Sequence, residues 1–166
     1  MTTPPSQSNA AFCPHDHAHC SADVLAFADQ MVQQSGLRLT PVRRRALEIL
    51  LENHQAMGAY DVLERLAQDG FGNQPPVAYR ALDFLVANGL AHRVRRLNAY
   101  AACMHPQTDH TPVFMICKRC HAVAETVAQD VRTAIATAAA AADFSIERVN
   151  VEVLGLCPGC QERASA

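Results

Sequence analysis

Along the first half of the chain, apolar residues recur at the three- and four-residue intervals of a helix that buries one face. Val24, Phe27, Ala28 and Met31 form one such stripe, from an expected cap at Ser21 to a stop near Gly36. Thr40-Pro41 predicts a second start, because a hydroxyl caps the free N–H groups and proline lacks one of its own. That helix turns Ala46, Leu47, Leu50 and Leu51 inward. A third runs from about Ala59 to Asp69 with Val62, Leu63 and Leu66 inward and Gly70 as its stop. Pro75-Pro76 opens a fourth, with Ala81, Leu82 and Leu85 on one face and Asn88-Gly89 ending it.

The period then shortens. LAHRVRRLNAYAAC reads as two strands around a turn near Leu97, Asn98 and Ala99. Helices followed by a two-stranded hairpin give the order of a winged helix-turn-helix, in which the helix before the hairpin enters the major groove. A polar connector, MHPQTDHTP, follows Cys103. Beyond it VFMIC and AVAETV predict two strands, residues 128–142 an alanine-rich helix with Val131, Ile135 and Ala138 in line, and FSIERVNVEVLGL a last strand. The fold class expected is α+β: a winged helix-turn-helix domain, then a small α/β dimerisation domain whose strands need partners from a second subunit. The expected boundaries are an arm over 1–22, the winged helix over 23–102, a hinge over 103–112 and the dimerisation domain over 113–166.

Composition sharpens this outline in two places. With 49% hydrophobic residues in 166, a packed core is well supplied, yet no apolar run approaches the roughly 20 residues of a membrane span. The start, MTTPPSQSNAAF, lacks a secretory pattern, so a cytoplasmic address with reduced cysteines is expected. The net charge of −2 is unevenly spread: residues 36–100 carry nine arginines against six acids, including Arg43, Arg44 and Arg45. That excess fits either a DNA-binding module or a solvated charged face.

The cysteines carry the clearest chemistry. Two C-x-x-C pairs, Cys117/Cys120 and Cys157/Cys160, suit a tetrahedral zinc ion, each knuckle turning two sulfurs inward. The 36 residues between them hold a strand, a helix and a strand, so the ion would tie the end of the chain to the start of the second domain. A dithiol redox site is the competing reading, but such a motif should open a helix, and none is expected after CPGC. A zinc deaminase needs His-x-Glu, which occurs nowhere in the chain. Structural zinc is the reading favoured, which puts the function elsewhere.

Four further donors bracket the connector: His92 on the first wing strand, Cys103 ending the second, His110 in the hinge and Glu125 beyond Cys120. A metal taking all four would fix the two domains relative to each other. Imidazole, thiolate and carboxylate together suit Zn²⁺ better than Fe²⁺ or Mn²⁺. Near the start, CPHDHAHC offers Cys13, His15, His17, His19 and Cys20 as a weak third zinc site or a merely polar arm.

LTPVRRRALEIL, AYDVLERL, PPVAYRALDFLVANGLAHRV, the Cys103/His110 hinge and both C-x-x-C pairs together resemble the ferric uptake regulator superfamily, in its zinc uptake regulator branch. The resemblance covers residues 23–160. It implies a homodimeric, zinc-responsive repressor of zinc-uptake genes that binds an inverted repeat in double-stranded DNA, with no enzymatic activity, small-molecule substrate or membrane partner. It assigns structural zinc to Cys117, Cys120, Cys157 and Cys160, and a regulatory zinc to His92, Cys103, His110 and Glu125. For DNA it points to Tyr60 and Arg80, with Tyr79 beside Arg80; Arg44 is the expected phosphate contact. Two positions depart from the pattern: Val77 replaces a threonine that could cap or touch phosphate, and His121 replaces a common glycine. The alternatives are a sister regulator of iron, manganese or peroxide, and a zinc-ribbon thiol oxidoreductase.

Overall fold

In the computed structural model the described residues are 12, 17–52, 55–108 and 110–163, with only the backbone described at 17–20. They form two compact units that divide after Thr108.

The first unit begins with α1 (His17–Ser35), α2 (Pro41–Glu52), the short strand β1 (Met57–Gly58), α3 (Ala59–Gln68) and α4 (Pro75–Ala87). The expected helical stripes meet in one core, in which Ala28, Leu47, Leu50, Val62, Leu66, Leu82 and Leu85 are buried. Burying a leucine or valine side chain is worth about 1.5–3 kcal/mol, so this cluster orients the helices. Helix α1 starts at His17, so Ser21 lies inside it rather than at its cap, and the helix runs into the stretch expected as an arm.

The end of α4 sets the wing. Leu90 N–H donates to Leu85 C=O at 2.9 Å and Gly89 N–H to Val86 C=O at 3.2 Å. This double closure needs a left-handed residue, which Gly89 supplies at φ 68°. The chain leaves directly into β2 (Ala91–Val94), a turn of 3₁₀ helix at Arg95–Leu97, left-handed Asn98, and β3 (Ala99–Ala102). β2 and β1 both pair antiparallel with β3, giving the order β1-β3-β2. β1 was not expected, since two residues carry no readable period.

The second unit holds β4 (Pro112–Cys117), β5 (Val123–Val127), α5 (Gln129–Ala141), β6 (Val151–Gly155) and α6 (Pro158–Glu162). β4 is central, antiparallel to β5 and parallel to β6, so α5 forms the crossover between the outer strands. The last strand is shorter than expected, beginning at Val151. α6 also corrects an expectation: CPGC does open a helix, because Pro158 occupies its first position and Cys157 precedes it in extended backbone.

Candidate metal centres and nucleic-acid interface

The second unit brings its four cysteines to one point. β4 ends at Cys117, a tight turn carries Cys120, and β6 beside β4 delivers Cys157 and Cys160. Cys117 N–H donates to Ala122 C=O and His121 N–H to Cys117 C=O, both at 2.9 Å, closing the first knuckle. Cys160 N–H closes the second onto Cys157 C=O at 2.9 Å. The knuckle forces His121 to φ 61°, a left-handed value, which accounts for a preference for glycine there.

All four sulfurs lie within 4.8 Å of one another, and Cys120 Sγ stands 3.7 Å from Cys157 Sγ. Sulfurs at about 2.3 Å from one tetrahedral ion are about 3.8 Å apart, whereas a disulfide requires about 2.05 Å. The geometry fits a four-thiolate zinc site. The redox reading is disfavoured on this ground, in place of the missing helix argued from sequence.

Electrostatics agree. Backbone N–H groups of Cys120 first, then Cys157 and Arg119, pull the Cys117 thiol down to about 5. Burial, then the neighbouring sulfurs, push Cys160 up to about 12. Four anions at this spacing cannot coexist unaided, and a divalent cation at their centre is what allows all four to ionise. Arg163 adds positive charge, its guanidinium 3.9 Å from Cys160 Sγ, and Arg119 donates to Cys160 C=O at 3.4 Å.

The other predicted ligands fall into two pairs. In the first unit, His92 lies opposite Ala101 in the β2–β3 ladder, and Cys103 continues β3 two residues on, its N–H donating to Leu90 C=O at 3.0 Å. Cross-strand partners share a face, as do residues two apart, so His92 and Cys103 point the same way. Their donor atoms lie within 4.8 Å, and Cys103 is fully buried. In the second unit, Glu125 lies opposite Phe114, and His110 shares the parity of Pro112 and Phe114. His110 Nε2 and Glu125 Oε1 meet at 2.7 Å with side chains only 5% and 4% exposed. Each pair combines donor types that zinc accepts: imidazole with thiol in the first, imidazole with carboxylate in the second. The group at Cys13, His15, His17, His19 and Cys20 lies outside the described residues and side chains.

The surface expected to meet DNA belongs to the first unit. Tyr60, at the start of α3, is 67% exposed, and Tyr79 on α4 is 40% exposed. Asp61 Oδ2 accepts from Gly58 N–H at 3.1 Å, holding the start of α3 that presents Tyr60. α4 buries Ala78, Ala81, Leu82 and Leu85 and leaves Tyr79, Arg80 and Asp83 exposed on its other side. Gln74, which precedes α4 in extended backbone, gives the helix no side-chain cap. Arg44 is differently placed: it forms an ion pair with Asp29 of α1.

Comparison with known proteins completes the picture. The family model described as "Ferric uptake regulator family" matches residues 34–154. The zinc uptake regulation protein of Escherichia coli (strain K12) is 38% identical over 141 residues, covering 84% of this chain and 82% of that protein. A solved zinc uptake regulator in complex with zinc and DNA superposes with a TM-score of 0.83 at 36% identity, covering 88% of this chain and 98% of that one. The holo structure of XcZur gives 0.77 at the same 36% identity, over 88% of this chain and 99% of that one.

Proposed function

The chain belongs to the ferric uptake regulator family, and we propose that it is a zinc-responsive, DNA-binding transcriptional repressor that controls zinc-uptake genes. The observation that carries this is the likeness to a zinc uptake regulator solved with zinc and DNA, over nearly the whole of both chains. Its role is regulation rather than catalysis, and its site of action is the cytoplasm.

Within this reading, Cys117, Cys120, Cys157 and Cys160 hold a structural zinc, supported by their sulfur spacing. A second, regulatory zinc takes His92 and Cys103 with His110 and Glu125, which flank the connector in sequence and offer two nitrogens, a sulfur and a carboxylate oxygen. Bound there, zinc would supply a cross-link between the two pairs. His92 and Cys103 are fixed by the β2–β3 ladder, directly after the α4 turn, so their position and that of the recognition helix are rigidly linked. Ligation is thereby coupled to DNA affinity, and a coupling of about 3 kcal/mol is worth roughly 100-fold in binding. Arg80 reads guanine acceptors, Tyr60 and Tyr79 make apolar and hydroxyl contacts, and Arg44 meets phosphate in exchange for Asp29.

The protein acts as a homodimer, which exposed apolar side chains of the second unit support: Phe144 is 68%, Val153 49% and Leu154 48% exposed. Two copies related by a two-fold axis present two recognition helices to an inverted repeat. The test is retention of inverted-repeat DNA by the purified protein at fixed salt with Zn²⁺, Fe²⁺ or Mn²⁺ at equal free concentration. Zinc alone should promote binding. Activation by iron or manganese with no response to zinc would assign the protein to a sister regulator.

A further inference from the structure

The exposed side of α4 carries a carboxylate as well as the tyrosine and arginine already discussed. Asp83 follows Arg80 by three residues, on the same face of the helix and exposed. Oppositely charged side chains at this spacing commonly pair. Here they do not: neither Arg80 nor Asp83 has an ion pair or hydrogen bond among the described residues, whereas the arginines of α2 are engaged with acids, a carbonyl or an aromatic ring. Asp83 is not a helix-capping group either, since it lies in the interior of Pro75–Ala87. Nor does it hold the hydroxyl of buried Tyr100, to which it makes no hydrogen bond among the described residues. An unpartnered negative charge on a face that approaches polyanionic DNA is repelled by phosphate. A donor on a base edge would offset that repulsion.

We propose that Asp83 is a specificity-determining residue that accepts a hydrogen bond from the exocyclic amino group of a cytosine in the major groove. Among base edges in that groove, cytosine N4 and adenine N6 are the amino donors; a carboxylate, which only accepts, matches cytosine, while adenine presents its donor beside the N7 acceptor. Three residues advance a helix by about 4.5 Å, close to one base-pair step of about 3.4 Å. Arg80 and Asp83 therefore address neighbouring base pairs, Arg80 a guanine and Asp83 a cytosine. The carboxylate also discriminates against wrong sites, because opposite thymine O4 or guanine O6 it faces an acceptor.

The inference rests on the DNA-binding reading above and is tested separately from it. Zinc-loaded wild type, Asp83→Asn and Asp83→Ala are each used to select binding sites from a library of randomised duplexes, with thermal melting confirming that the variants are folded. Wild type must first select a defined site; failure there contradicts the DNA-binding reading itself. Given a wild-type site, Asp83→Ala should lose preference at one position by about tenfold or more while binding random DNA more tightly, since a repulsive charge is gone. Asp83→Asn should move that position from cytosine towards adenine, whose N6 and N7 an amide can match together. Unchanged preference at every position in both variants overturns the proposal. So does a uniform loss across all positions, which would make Asp83 a support for the helix.

Discussion

Arg43, Arg44 and Arg45 form the strongest positive run in the chain, yet each is used inside the first unit. The Arg43 guanidinium lies 3.8 Å from the centre of the Phe84 ring and donates to Arg38 C=O at 2.7 Å. Arg45 reaches Asp69 at 2.6 Å and Glu52 at 2.8 Å; its bond to Asp69 comes first among the causes that raise its pKa above the ordinary value. Arg80, by contrast, has no such partner among the described residues. Arg80→Ala should therefore cost on the order of 1–3 kcal/mol of specific binding and relax preference at one base pair. Arg44→Ala should weaken binding to all sequences alike and flatten the salt dependence. Titrations at several salt concentrations separate the two, and equal losses of Arg80→Ala on specific and random DNA would demote Arg80 to a backbone contact.

The cysteines divide in the same way. Cys117→Ser should collapse the second unit, because structural zinc supplies folding free energy directly. Cys103→Ser should leave a folded protein that no longer answers to zinc; circular dichroism beside a DNA-binding assay checks both. An unfolded Cys103→Ser protein would show the two roles to be confused.

Among the elements, those with a repeating period were legible in the sequence. The α2, α3 and α4 stripes became the core, and the hairpin turned where Asn98 takes the left-handed conformation at φ 48°. What was not legible depended on partners distant in sequence. β1 exists because Met57 and Gly58 meet Tyr100 and Ala99 across the chain, and α6 because Pro158 starts a turn that the cysteine cluster anchors. The proposed ligand residues could be picked out by donor type, but their arrangement required the ladders that set His92 opposite Ala101, two residues before Cys103, and Glu125 opposite Phe114. The reach of arginines 43–45 back into their own unit left no trace in composition.

α5 buries no residue within the chain, although Val131, Ile135 and Ala138 line up as a helical face, and β6 is similarly open. An unfilled face of this kind is what a second copy would complete. A charge placed on β6, Val153→Asp, should shift the protein from dimer to monomer in sedimentation and abolish retention of the inverted repeat. A Val153→Asp protein that remains dimeric would move the interface elsewhere.

At the scale of the whole molecule, the two proposed zinc sites should differ in acid sensitivity. Every ligand must lose its proton to bind, so falling pH opposes metal at both. The site with two imidazoles should lose zinc first as pH falls, since it has fewer thiolates to hold the ion against protons. The four-thiolate site should persist to lower pH, because four sulfurs acting together on one ion bind it tightly enough to absorb the proton competition. Zinc release followed against pH should show two populations; release in one step would mean the sites are not distinct.

The central claim is that zinc at a second site, beyond the structural one, controls DNA binding. Its most direct test is a zinc titration at fixed low salt, starting from protein that retains only structural zinc, with bound metal per subunit and affinity for inverted-repeat DNA read from the same samples. DNA affinity should be low at the starting one zinc per subunit and rise roughly 100-fold as the second site fills. Affinity that is already high with structural zinc alone, and flat as the second site fills, would contradict the account.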